Sequence, residues 1–267
     1  MKYPNGHEFE YKPLRPSQIR FDELYQRDLD LKRARDIAHD FDGDIFNEPK
    51  VSYRDGQYWC FDGMHSVYGW KAYHNNEDAP VMCKVFKGMT LLDEIDCFVK
   101  QTGYKKDLQI GDRLKALEAA RDPDTLKMKR GVEQFGFVVN YGKSLKINTA
   151  VQCHAQVLRT YKKLTYEEYL LVFNVIKDLW WNQKDATSKK IVKGLTEFFD
   201  IYHSQINYST LIDHMRNESP NLFIQKAEEY GDKKGRYKYK YPYAFFIADK
   251  YNYRLAAKNR LNEELTK

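Results

Sequence analysis

Long hydrophobic runs are missing from this 267-residue chain. No stretch approaches the roughly 20 consecutive apolar residues that a membrane-spanning helix requires. The first residues, Met1-Lys2-Tyr3-Pro4-Asn5-Gly6-His7, hold no apolar core of the kind a secretory signal has, so a cytoplasmic location is expected. Cysteine is scarce: Cys60, Cys83, Cys97 and Cys153 are widely spaced and form no CxxC pair. That spacing argues against a zinc site, and in a reducing compartment the four read as buried free thiols. The Asp40-Phe41-Asp42-Gly43-Asp44 run lacks the later glutamate of a calcium loop, because Lys50-Val51-Ser52 falls near that position; no metal site is expected. A strong charge of one sign is missing too. With 44 basic and 38 acidic residues the net charge is +6, which permits nucleic-acid binding without requiring it.

What is present suits a globular protein. Hydrophobic residues make up 42% of the chain, enough to bury a core in one large domain or two small ones. The 21 tyrosines, set among lysines and arginines, fit contacts to phosphates and bases, and equally fit a Lys/Tyr/Asn-rich proteome. The first part reads as mixed strands and helices. Apolar spacing predicts an amphipathic helix over Leu29 to Phe41, and Arg54-Asp55-Gly56-Gln57 reads as a hairpin turn. Thr90 followed by Asp93 and Glu94 predicts a helix from Leu91 to about Gln101. From Ile110 onward the pattern is helical: 112–121, 125–135, 149–161, 165–181, 189–203, 208–216, 220–230, and a last helix over Tyr243 to Glu264. A boundary is expected near 104–112, giving a domain over 1–108 and a helical domain over 109–267.

Asp62-Gly63-Met64-His65-Ser66 is the most informative stretch. It joins a predicted strand, Gln57 to Phe61, to a predicted helix, Val67 to Asn75. A glycine at such a turn lets the backbone approach a ligand. The helix start offers unpaired N–H groups and the positive end of the helix dipole, a combination suited to phosphate.

The order of elements around that turn resembles the ParB/sulfiredoxin-like superfamily. Leu14-Arg15-Pro16-Ser17-Gln18-Ile19 looks like its first strand. Tyr25-Gln26-Arg27 and Arg33 to Phe41 look like the arginine and helix that follow. Pro49 to Gly63 looks like the hairpin running into the phosphate turn, and Ala79 to Val85 like the closing strand. The resemblance spans about residues 10–110 and is nearest to an Asp-Gly-x-His-Arg variant seen in phage and mobile-element proteins. It implies an α+β protein: a mixed-sheet, ParB/sulfiredoxin-like N-terminal domain followed by an all-α domain. It also implies a nucleotide ligand, CTP or ATP with Mg2+, and association with DNA, and it admits a homodimer. The chain departs from the family in two places. Ser66 stands where most members have arginine, and serine lacks the planar fork that grips phosphate. Met64 stands where sulfiredoxins carry their reactive cysteine, and a thioether is no such nucleophile. The Glu-Asn pair that ParB proteins use in CTP hydrolysis is absent after the closing strand, so a bound nucleotide is expected to act as an effector.

The resemblance assigns Arg27, Gly63, Met64, His65 and Ser66 to nucleotide or phosphate binding. Asp62 can hold a phosphate-bound magnesium ion or cap the helix. His65 can donate to phosphate, act as acid or base, or serve as a structural cap. If the protein is an enzyme, a nucleotide hydrolase or a nuclease, Asp62 and His65 are its catalytic candidates. A third reading is a protein-interaction module with a degenerate nucleotide site. Lys233, Lys234, Arg236, Tyr237, Lys238, Tyr239 and Lys240 form the densest basic-aromatic segment. They are candidates for nucleic-acid binding through phosphate contacts and base stacking, or they form a solvated loop.

Overall fold

The computed structural model describes residues 1, 6–104, 109–141, 144–231 and 239–266, with residues 101–104 described in their backbone alone. The described residues form an α+β protein with one five-stranded mixed sheet and eleven α-helices. They fall into two compact units, Met1–Asp122 and Pro123–Lys267. The division therefore lies later than the expected 108/109 join. Helix α4 (Ile110–Ala119) packs on α3 (Leu91–Tyr104) and so belongs with the sheet. Pro123, which lacks an N–H and cannot continue α4, opens α5 (Pro123–Glu133) instead.

In the first unit the sheet order is β1-β5-β3-β4-β2. Strand β1 (Phe9–Leu14) runs antiparallel to β5 (Val81–Lys87), and β5 runs parallel to β3 (Lys50–Arg54). Strand β3 is antiparallel to β4 (Gln57–Asp62), and the short β2 (Ile19–Arg20) is parallel to β4. The β3–β4 hairpin turns at Asp55 and Gly56, both at positive φ (54° and 74°). That backbone matches the twist of the two strands. One sheet face buries Val51, Cys60, Val81, Cys83 and Val85 with Val67 of α2 (Met64–Tyr73). The other joins Phe61 to Ile95 and Phe98 of α3 and Ala116 of α4.

Several boundaries differ from the expected ones, each for a local reason. The first strand ends at Leu14; Pro16–Gln18 forms a 3-10 turn, fastened by Ser17, whose N–H and hydroxyl donate to Asp78. Helix α1 spans Leu31–His39, capped by the Asp30 carboxylate, which accepts from the N–H groups of Lys32 and Arg33. Helix α2 starts at Met64, three residues earlier than Val67. The helix expected from 149 begins at His154 (α6, His154–Lys163), because the preceding segment is held extended by Val138, whose N–H donates to the carbonyl of Thr149 and whose carbonyl accepts from the N–H of Val151.

The described residues of the second unit form helices and their connections, with one β-bridge between Val138 and Ala150. Helix α7 (Tyr166–Trp180) is capped by a reciprocal Thr165–Glu168 pair. It packs against α5, α6, α8 (Lys189–Tyr202) and α9 (Tyr208–Met215). Helices α10 (Pro220–Tyr230) and α11 (Pro242–Asn252) complete the unit around Phe173, Trp180, Phe198, Phe199, Phe223 and Phe246. The final helix stops at Asn252, well short of Glu264. The Asn252 side chain exchanges hydrogen bonds with the backbone of Leu261, and Arg254 at φ 60° turns the chain back. No helix among the described residues is long and apolar enough to cross a membrane.

Candidate anion-binding cleft

The site begins with strand register. Tyr11 pairs with Lys84, Lys84 with Lys50, and Lys50 with Asp62, so these four side chains form one row across β1, β5, β3 and β4. Asp62 joins the row through a β-bulge. Lys50 pairs with Asp62 but Val51 pairs with Cys60, which leaves Phe61 as an extra residue. A bulge re-aims the side chains beyond it, and both Phe61 and Asp62 line the cleft. The Lys50 ammonium is 3.2 Å from Asp62 Oδ2. Lys50 and Lys84 are like charges on adjacent strands, an arrangement that costs stability unless an anion lies between them. Burial pushes the Lys84 ammonium below its ordinary pKa and Lys50 adds to the depression, while Glu48 opposes it.

Beyond Asp62 the chain turns through Gly63, at φ 97° and ψ 20°, into α2. A methyl group at Gly63 would lie 2.9 Å from the Cα of Pro49, so the turn must be glycine both for its conformation and for its closeness to the start of β3. Gly63 has no side chain with which to cap α2. The first-turn N–H groups of Met64, His65 and Ser66, which a helix does not itself satisfy, therefore belong to the cleft wall. Met64 and His65 are buried and Ser66 is half-buried.

Arg27 arrives on a segment without regular structure, held by the two residues before it. The buried Tyr25 hydroxyl donates to Glu94 at 3.3 Å. Gln26 Nε2 donates to the carbonyl of Cys60 at 2.7 Å, and its own carbonyl accepts from Lys115 Nζ at 2.7 Å. Glu94 is fully buried and also accepts from Ser52 Oγ and, at 2.9 and 3.3 Å, from two nitrogens of Arg54. These bonds tie the approach to Arg27 to α3, β3, β4 and α4. Arg33 enters from the first turn of α1.

His65 couples the two helices at the cleft. Its Nε2 accepts from the backbone N–H of Asp30, the α1 cap, at 3.2 Å, so the ring is neutral with its proton on Nδ1. Burial, reinforced by Arg27 and Arg33 and opposed by Asp30, lowers its pKa to about 4. A ring in that state holds the Arg33-bearing helix in place and is a poor proton acceptor near neutral pH.

The cleft has a volume of about 520 Å³. Four cations, Arg27, Arg33, Lys50 and Lys84, line it against two carboxylates, Glu48 and Asp62. A second hollow of about 350 Å³ shares Arg33, Ile37, Asn47 and Ser66 with it and is walled by Phe41, Ile45 and Phe46. All six residues singled out at the turn and before it, Arg27, Asp62, Gly63, Met64, His65 and Ser66, line the one cleft. Gln26, Lys50 and Lys84 join them. Only strand register reveals the two lysines as part of the site; Lys84 occupies the face of β5 opposite Val81, Cys83 and Val85, where a lysine is unexceptional in sequence. Lys233, Lys234, Arg236, Tyr237 and Lys238 lie outside the described residues. Tyr239 is buried, its ring stacked on Phe245 at 4.0 Å, and does not present a face to solvent; Lys240 is exposed.

Fold and site together define an α+β protein with a cationic cleft at the uncapped start of a helix. The chain belongs to DUF6551, a family of unknown function whose model matches residues 21–261. No curated protein matches it.

Proposed function

We propose that the cleft binds a nucleoside triphosphate, CTP or ATP, as an effector, and that the chain is a ParB/sulfiredoxin-like, DNA-associated protein of phage or mobile-element type. The observation that carries the reading is that Arg27, Arg33, Lys50 and Lys84 line the same cleft as the uncapped start of α2 at Gly63. Neighbouring lysines on adjacent strands and unpaired helix N–H groups are both stabilised by a multiply charged anion. The adjoining hollow favours a nucleotide over free phosphate, because Phe41, Ile45 and Phe46 offer apolar contacts to a base, and Asp36, Asp40 and Asp42 offer acceptors for its amino group or the sugar hydroxyls, beside the phosphate seat. Retention of the nucleotide as an effector, rather than turnover, is favoured by two contacts. Asp62 is engaged by Lys50, and the His65 nitrogen that would accept a proton already accepts from Asp30. In this reading DNA meets the helical half, with Lys240 and the basic residues before it in sequence supplying phosphate contacts.

Calorimetric titration of the full chain with CTP, ATP, GTP and UTP, with and without duplex DNA, tests the proposal. Micromolar binding of one or more nucleotides, abolished by Arg27→Ala with Arg33→Ala and unaccompanied by hydrolysis products, is expected. Failure of every nucleotide to bind would remove the reading. Steady release of diphosphate would replace the effector by an enzyme.

A further inference from the structure

We infer that this cleft takes its nucleotide free of divalent metal, with Lys50 and Lys84 supplying the positive charge that magnesium supplies elsewhere; the inference rests on the nucleotide reading above. Magnesium bound with a nucleotide needs one or two carboxylates in addition to phosphate oxygens and water. The cleft has two carboxylates, and the one at the phosphate turn, Asp62, is paired with a lysine. Asp62 Oδ2 is 3.2 Å from Lys50 Nζ, and the two residues are ladder partners, so the backbone holds the ammonium where a cation on Asp62 would sit. Glu48 acts electrostatically on Lys84. Lys50 and Lys84 are themselves ladder partners on adjacent strands, which lie about 4.8 Å apart. A divalent ion on Asp62 would stand beside the Lys50 ammonium and be repelled by it, while the Lys84 ammonium lies 3.9 Å from the Phe9 ring on the neighbouring strand. The donor set therefore does not fit magnesium.

The same row does fit a bare polyphosphate. Lys50 and Lys84 project from the sheet, Arg27 and Arg33 enter from the loop and α1, and the α2 N–H groups close the remaining side. With four cations against two carboxylates, the cleft is suited to a ligand that keeps its full negative charge. Magnesium in solution complexes a triphosphate and reduces that charge, so the cation should compete with the protein for the ligand rather than assist it.

The test is titration of the full chain with CTP and ATP in EDTA and again in excess magnesium. Affinity in EDTA equal to or higher than in magnesium is expected. Two variants locate the cause. Lys50→Met removes the ammonium beside Asp62 and one cation of the cleft; it should bind about tenfold more weakly in EDTA and gain affinity when magnesium is added. Asp62→Asn releases Lys50 to the phosphates and should tighten binding about threefold in EDTA. Wild-type binding that is tighter in magnesium, or loss of binding in Asp62→Asn, overturns the inference while leaving the nucleotide reading intact. No binding by the wild type in either medium removes the nucleotide reading and this inference with it.

Discussion

Gly63 tests the geometry of the cleft more directly than any charged residue. The replacement Gly63→Ala places a methyl group on a backbone at φ 97°, 2.9 Å from the Cα and 3.3 Å from the Cβ of Pro49. Two costs combine. Holding a residue with a Cβ in a left-handed conformation costs about 1–2 kcal/mol. Forcing an atom against backbone that cannot rotate away costs about 1–3 kcal/mol more. A total loss of about 3 kcal/mol is therefore expected. Gly56 provides the control: its φ is also positive, 74°, but nothing lies within 4 Å of an added Cβ. Gly56→Ala should cost only the conformational part, about 1 kcal/mol. Urea titrations followed by circular dichroism measure both, and the difference between them isolates the contact with Pro49. Equal losses in the two variants would refute the close approach of the phosphate turn to the start of β3. At temperatures where Gly63→Ala remains folded it should also bind nucleotide more weakly, since relief of the contact displaces the start of α2 from the Lys50 row.

Two further predictions concern the groups around the site. Glu94→Ala leaves Arg54 to Asp22 and Asp55 and removes the acceptor of the Tyr25 and Ser52 hydroxyls, and a loss of about 2–3 kcal/mol is expected from denaturant unfolding; a loss under about 1 kcal/mol would mean that the network does not hold the Tyr25-Gln26-Arg27 segment. His65 has a folded pKa of about 4, below its unfolded value near 6.5. Its neutral form is thus favoured by folding, and the stability it contributes is complete above the unfolded value and lost as the pH falls from about 6.5 toward 4. Unfolding midpoints measured across that window should fall for the wild type more steeply than for His65→Gln, and parallel slopes would contradict the buried, neutral ring.

Much of the α+β division was legible because its signals are local. Asp55-Gly56 marks a hairpin through residues that tolerate positive φ, Thr165 and Glu168 mark a helix start by reciprocal hydrogen bonds, and apolar spacing marks α7 and α8. The boundaries that moved depended on distant partners. Residues 149–151 are extended because Val138 pairs with them, and α11 ends at Asn252 because Leu261 returns to its side chain. The join between the two units moved for the same reason, since nothing within α4 announces that it will pack on α3.

For the site, the sequence by itself determined the turn. A glycine after a strand and before a helix needs no partner elsewhere to create an open helix N-terminus, and residues 62–66 follow from that pattern, whereas Arg27 was pointed to only by the family resemblance. Tertiary structure alone decided the rest. Lys84, Lys50 and Asp62 are distant in the chain and become a single row only through the register of three strands and a one-residue bulge at Phe61. His65 became the tie to Asp30 through the packing of α1 on α2. A turn is dictated by the torsions of neighbouring residues, whereas a charge pair across a sheet is dictated by alignment between strands, and a shift of one residue would have sent each lysine to the opposite face.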